Sequence, residues 1–473
     1  MSDNAPIILW FRRDLRMADH PALHAAVSSR RPVIPVFLRD DLVDRLGAAP
    51  KFRLGLGLER FAAELQDAGS RLVLRAGAAL PALRALAAET GAAAVWWTRA
   101  YDADSVARDK EVKAALREDG MEARSFGGHL MFEPWTVETG QGSFYKVYTP
   151  FWRAVSGRDV DAPHPAPGRV PAPDAWPESE SLSDWELGRA MRRGAEVVAC
   201  FARVGEAAAR DRLAQFMDGI VAGYDDSRDL PAEDGTSALS ENLSLGEISP
   251  HQCWHAAIRA REEGKPGAET FMKELVWREF AYHLLHHTPR LATSNWREEW
   301  DAFPWNEDED DPRVTAWRRG RTGIPFVDAG QREMYVTGRM HNRARMVVAS
   351  YLTKHLLTHW KIGMRWFEEH LIDWDPASNA MGWQWSAGSG PDATPYFRVF
   401  NPLTQAKRFD PDGAYLRRWI AEGQDDPPAD ALAYFDAVPR SWALSPDDDY
   451  PDPVVDASEG RKIALEAYEN KDF

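Results

Sequence analysis

Residues 6–38 read PIILWFRRDLRMADHPALHAAVSSRRPVIPVFL. Two apolar runs of strand type, PIILWF and RPVIPVFL, open and close this stretch. RLVLRAG (71–77) and AAAVWWTR (92–99) follow at similar intervals. Helical patterns lie between them, such as FRLGLGLERFAAELQDAG (52–69) and LPALRALAAETGA (80–92). Strand and helix in alternation imply a parallel sheet covered by helices, a Rossmann-like α/β domain over residues 1–130. No G-x-G-x-x-G follows the first strand, so a conventional dinucleotide fingerprint is missing. The strand instead runs into Phe11-Arg12-Arg13-Asp14-Leu15-Arg16. Arginines after a strand can bind anions but more often pair with nearby acids.

Past Met131 the alternation stops. Six prolines fall in the seventeen residues from Asp161 to Pro177, which cannot hold a helix and predict an extended connector. Residues 131–197 are therefore read as a linker. After Val197 the patterns are helical: 206–224, 249–264, 268–289 and 338–360. No repeat period recurs, so residues 198–473 form an irregular all-α domain. The tail past Asp425 is rich in Pro and Asp, with one short helix at its end.

At 473 residues, with 44% hydrophobic and 27% charged residues, the chain has the composition of a globular protein of two or three domains. No apolar stretch approaches 18 residues, so no membrane partner is expected. No secretion signal is visible, and the two cysteines, Cys200 and Cys253, cannot build a disulfide framework or hold an iron–sulfur cluster. A cytoplasmic location is the expectation, with no metal. The net charge of −16 taken alone argues against nucleic acid. Between Arg313 and Arg365, however, eleven Lys/Arg face two Asp/Glu. That segregation suits either solvated faces or a basic surface on an acidic body.

The chemistry concentrates in a few constellations. Glu274, Trp277 and Arg278 are spaced by three and four and share one helix face. Asn342 and Met346 share another, flanked by Arg343 and Arg345. An Asn with a soft Met suits a flat heteroaromatic ligand. Asp373 and Asp375 raise each other's pKa unless a cation compensates, and Arg345 is the expected partner of Asp373. Asp373-Trp374-Asp375-Pro376 also reads as a helix start. Thr236 to Ser240, in a loop after Tyr224, could cradle a phosphate, though most such loops bind nothing. Twenty tryptophans exceed what packing calls for. Trp383 and Trp385, two apart, point in different directions on a helix.

Taken in order, FRRDLR, the Thr236–Ser240 loop, KELVWREF, TGRMHNRARM, LIDWD, NAMGWQW and DATPYFRVFNPLTQ resemble the photolyase/cryptochrome family of flavoproteins. The resemblance covers nearly the whole chain. It implies an antenna-type N-terminal domain, a helical domain holding FAD, and damaged DNA bearing pyrimidine dimers as the partner of a monomer. By position, Tyr224, Thr236, Ser237, Ala238, Leu239 and Ser240 correspond to the pyrophosphate side of the FAD site. Phe271 stands where the family often has tryptophan near the adenine. Arg278, Arg345, Asp373, Asp375 and Asn379 correspond to flavin and ribose contacts. Glu274, Trp277, Asn342, Arg343, Met346 and Trp385 correspond to the pocket for a flipped dimer, and Arg228 and Gln405 to DNA backbone contacts. Glu274, Asn342 and Asn379 carry the implied catalytic roles. Trp383, Trp360 and Trp305 match the family's electron-transfer chain. Asn342 and Met346 resemble the branch that repairs cyclobutane dimers, where (6-4) photolyases have histidine and plant cryptochromes aspartate at the Asn342 position. SFGGHLMFEPW and FYKVYTPFWRA resemble the bacterial group close to plant cryptochromes. The implied antenna chromophore is methenyltetrahydrofolate, with 8-hydroxy-5-deazaflavin as the alternative. The segment Tyr101–Ser105 lacks the Asn-Glu pair of one folate site. A cryptochrome-type photoreceptor and a (6-4) photolyase are the competing readings.

Overall fold

The computed structural model describes residues 4–392 and 397–470, so residues 393–396 of the DATPYFRVFNPLTQ motif lie outside the described residues. Five strands, β1 (Ile7–Phe11), β2 (Val33–Arg39), β3 (Val73–Ala76), β4 (Ala94–Thr98) and β5 (Glu122–Phe126), pair in parallel in the order β3-β2-β1-β4-β5. Every residue of β1 is buried because both faces of the sheet are covered. Ile7, Leu9 and Phe11 pack with Leu23, Leu58 and Phe61 on one face. Ile8 and Trp10 pack with Leu83 and Leu116 on the other. Strand β5 (EARSF) is an edge strand with alternating burial, which is why no apolar run announces it.

The FRRDLR segment is a clamp between the two halves of the chain. Arg12 donates to both oxygens of Asp109 at 2.7 Å. Arg16 is buried and donates to the carbonyls of Asp19, Gly128 and Gly246. Burial alone would raise Asp14, but His20 at 2.9 Å and the Arg12 N–H hold it down at about 2. Gly246 sits at φ 67° with its Cα against the Arg13 carbonyl, where a Cβ would collide with that backbone. Below the clamp, Arg53 of helix Ala48–Asp67 reaches Glu241 (2.8 Å) and Glu247 (2.9 and 2.5 Å) across the boundary, all fully buried.

The segment between the halves packs along its length. The N–H groups of Met131 and Phe132 donate to Glu279, and Phe151 of helix Tyr148–Val155 packs at a tilt against Phe280. Farther on, the Val33 N–H donates to the Pro171 carbonyl, the Glu180 N–H donates to the Leu74 carbonyl, and Trp185 rests on Phe37. The proline-rich stretch is thus extended and strapped to the sheet half.

Helix Ala268–His287 is the axis of the helical half, packed against Pro250–Glu262 and Pro376–Ala387. Asp375 N-caps Pro376–Ala387, accepting from Ser378 N with Pro at the first turn, as its sequence predicts. His341 caps Asn342–Ser350, which runs into a π turn at Tyr351–His355. The tail holds more than its final helix Ala457–Glu469: Ala429–Ala437 is helical as well, anchored by buried Tyr434 and Phe435. No described helix is long and apolar enough to cross a membrane.

Candidate functional site

Three elements of the helical half converge on one cavity of about 770 Å³. Helix Ala268–His287 presents Phe271, Glu274, Trp277 and Arg278 to it, on the face that the three-and-four spacing predicts. Helix Asn342–Ser350 presents Asn342, Arg343, Arg345 and Met346. The turn before Pro376–Ala387 and the helix itself add Asp373, Asp375, Asn379, Trp383 and Trp385. Tyr224, Arg228, Ser237 and Ser240 close another side. Of the loop residues expected with them, Leu239 is buried in the core and Thr236 offers its carbonyl to Arg212. Ala238, at φ 49°, makes the turn that leads into helix Ser240–Leu245.

Charge in the cavity is paired. Arg345 Nη2 donates to Asp373 Oδ2 at 2.7 Å and Oδ1 at 3.0 Å. Asp375 accepts from the Tyr282 hydroxyl at 2.5 Å and lies 3.4 Å from Arg13. Burial alone would raise Asp375, but Arg13 and Arg278 hold it below the usual carboxylate value. Arg278 donates to the carbonyl and ring of His129, both at 2.9 Å. Burial, then Arg278, push His129 well below its ordinary value, so the ring is neutral and accepts. Asn379, which lines the cavity, donates Nδ2–H to the Met364 carbonyl at 3.0 Å, which leaves the amide oxygen as its acceptor. At the rim, Arg228 pairs with Glu274 (2.8 Å) and Arg343 with Asp229 (2.5 Å). Trp277 lies flat on Tyr148, ring centroids 3.6 Å apart and planes within 5°.

The tryptophans divide as their spacing predicts. Trp383 is buried against Gly363, Phe367 and Trp317, while Trp385 is half-buried beside Phe400. Trp360 is fully buried and donates to Asn295 at 2.7 Å. Half-buried Trp305 donates to the Trp300 carbonyl at 3.2 Å. The His359 ring lies 5.4 Å from both Trp360 and Trp305. Gln405 sits apart from the cavity wall, on helix Pro402–Phe409, whose Phe409 carries the Arg343 guanidinium at 4.2 Å.

Much of the basic run from Arg313 to Arg365 is paired within the protein. Arg313, Arg318, Arg321, Arg332, Arg339, Arg343, Arg345 and Arg365 all pair with carboxylates. Lys354 is buried and donates to the Ala387 carbonyl. Glu309 and Glu422 each serve two of these arginines, so local counting overstates the unpaired charge without cancelling it.

Sequence reasoning missed Arg13, Tyr282, Asp229 and Trp374. Tyr282 lies four residues after Arg278 on the same helix, a spacing that could have marked it. Arg13 stands among the arginines after the first strand, but nothing local marks its partner Asp375, 362 residues away. A second cavity, of about 620 Å³, opens at the carboxyl ends of β1, β2 and β4. In an open parallel sheet the strand order reverses at this point, where ligands are commonly held. Trp10, Arg12, Arg13, Asp40, Tyr101 to Ser105, Arg108 and Trp374 line it. Ser244 and Trp374 belong to the walls of both cavities.

The donor set of the larger cavity fits FAD. It offers serines for a pyrophosphate, paired carboxylates for ribityl and ring donors, and aromatic walls in Tyr224 and Phe271. The volume lies in the range of cofactor pockets. The indole N–H groups of Trp374 and Trp383 have no partner among the described residues. Family models agree: one for DNA photolyase matches residues 7–170, and one for the FAD binding domain of DNA photolyase matches 271–470. The chain is 46% identical over 476 residues to the deoxyribodipyrimidine photo-lyase of Agrobacterium fabrum, covering 98% of each. The crystal structure of a bacterial class III photolyase from Agrobacterium tumefaciens superposes with a TM-score of 0.90 at 45% identity, covering 98% of this chain and 97% of that one. A cryptochrome from Synechocystis follows at 0.84 and 27% identity, over 99% and 100%.

Proposed function

The chain belongs to the DNA photolyase family, and from that premise we propose how its residues carry out the light-dependent repair of cyclobutane pyrimidine dimers in DNA. One observation carries the reading: a single cavity joins flavin-type donors to an aromatic, Asn- and Met-lined mouth. Bound FAD, in its reduced form, supplies a light-driven electron for the cyclobutane ring. Every other task falls to the protein.

In this assignment Arg345–Asp373, Arg278, Asp375 and Asn379 hold the isoalloxazine and ribityl part, with Asn379 fixed so that its Oδ1 accepts from a ring N–H. Tyr224, Thr236 to Ser240 and Phe271 hold the pyrophosphate and adenine side. Trp277, Asn342, Arg343, Met346 and Trp385 receive the dimer, which must leave the base stack. Extrusion costs a few kcal/mol and least for damaged bases, which favours the lesion. The Tyr148 ring behind Trp277 keeps that indole from tilting as a base slides over it. Glu274 and Asn342 face the dimer carbonyls, where hydrogen bonds strengthen as negative charge develops. Arg228 and Gln405 contact the DNA backbone, and Trp383, Trp360 and Trp305 conduct electrons to FAD from the surface.

The second cavity is where we place the antenna chromophore, with methenyltetrahydrofolate favoured over 8-hydroxy-5-deazaflavin. The mass of the chromophore released on denaturation decides it, and a deazaflavin mass rejects folate. The function itself is tested with flavin-loaded, reduced protein on DNA containing cyclobutane thymine dimers. Blue light is expected to restore the thymines and darkness to leave them, whereas repair of (6-4) products alone would overturn the assignment.

A further inference from the structure

Both rim arginines assigned to damaged DNA, Arg228 to its backbone and Arg343 to the dimer, are already occupied by carboxylates. Arg228 donates to Glu274 Oε1 at 2.8 Å, and Arg343 donates to Asp229 at 2.5 Å. The Arg228–Glu274 pair is neither buried nor free, with side chains 23% and 34% exposed. Burial alone would lower Arg228, but Glu274, Tyr224 and Asp229 raise it above its ordinary value. Glu274 is also a residue assigned to the dimer. A phosphate arriving at the rim therefore competes with Glu274 for one guanidinium, and it is a strong bidentate acceptor.

The surroundings of Glu274 decide its charge once Arg228 turns away. Arg278, one turn along the same helix, is turned to His129. Lys273 is paired with Glu269. From the packed elements come the Tyr148 and Tyr224 hydroxyls, which burial pushes upward so that they stay protonated. Of the other charges lining the cavity, Arg343 is held by Asp229 and Arg345 by Asp373, and burial pushes Asp392 upward. His341, near Arg228, is pushed down to about 4, chiefly by burial, and is neutral. No second cation among these takes over Glu274. A dimer filling the cavity removes its water as well, and a carboxylate so placed favours the neutral form. The neutral form also supplies the O–H donor that a dimer carbonyl needs.

We propose that Arg228 is a shared cation, held by Glu274 in the DNA-free protein and passed to a backbone phosphate in the complex, and that Glu274 takes up one proton from solvent in exchange. This rests on the photolyase reading above. The exchange moves one proton and no electrons. It couples engagement of the DNA backbone to the arming of the group that meets the lesion.

The test is calorimetric titration of the FAD-loaded protein with a duplex containing one thymine dimer, in buffers of different ionisation enthalpy. Uptake of about one proton per complex is expected, with affinity weakening about tenfold per pH unit on the alkaline side. Glu274→Gln is expected to abolish the buffer dependence. A carboxylic-acid carbonyl band appearing on DNA binding in the infrared difference spectrum checks the same proton without a substitution. Buffer-independent heat, or uptake that persists in Glu274→Gln, overturns the proposal. Illuminating the same complex separates the two levels: repair without proton uptake rejects only the Arg228 exchange, whereas absence of repair rejects the photolyase reading.

Discussion

Arg53→Met is expected to lower the unfolding free energy by about 3–5 kcal/mol, the usual penalty for removing one partner of a buried ion pair. Arg53 and its partners Glu241 and Glu247 have no exposed side-chain surface. Burial alone would lower Arg53, but Glu247 and Glu241 more than offset it and hold its charge firmly. Methionine fills similar space yet leaves two carboxylates facing each other. Arg339 still reaches Glu241 at 3.0 Å and Asn242 still reaches Glu247 at 2.6 Å, so the loss is partial for each acid. The damage falls on the boundary between the sheet half and the helical half, and the expected sign is a urea transition at lower midpoint that also splits in two. The quadruple variant Arg53→Met, Glu241→Leu, Glu247→Leu, Arg339→Met, which removes every charge of the cluster, is expected to recover much of the loss, because an apolar substitute for a buried ion cluster is often neutral. An unchanged midpoint for Arg53→Met would remove this cluster as the clasp.

Trp383→Phe is expected to abolish light-driven reduction of bound oxidised FAD while chemically reduced protein still repairs dimers. Trp383 is the chain's tryptophan that both lines the cavity and is buried to 2% exposure among other aromatic rings. Its ring rests directly on Gly363, one turn past Trp360, with no room for a Cβ between them. Phenylalanine keeps the apolar packing but cannot supply an electron as an indole does. Transient absorption of the flavin after a flash measures the step. Photoreduction at the wild-type rate in Trp383→Phe would move the conduit elsewhere, and Trp317, 6.1 Å from Trp383, would be the ring to test next.

How much of the fold and the site is legible in the sequence depends on what periodicity can encode. Residues spaced by three and four on a helix must share a face, so Glu274, Trp277 and Arg278, and Asn342 with Met346, are readable as patches. Asp375 before Pro376 is readable as a cap because capping is local. Four strands are readable as apolar runs, whereas β5 is hidden by its polar edge position.

The sequence by itself therefore determined the α/β-then-α order, the faces of the main helices and the family resemblance. Only the tertiary structure decided which charges meet. Arg13 finds Asp375 and Arg53 finds Glu241 and Glu247 across separations of 362, 188 and 194 residues. Pairing across the fold also engaged Arg321, Arg332, Arg339 and Arg343 of the basic run, and set Arg228 on Glu274. The physical reason is that backbone periodicity repeats over a few residues, while an ion pair is chosen by whichever opposite charge the packed core brings within about 4 Å.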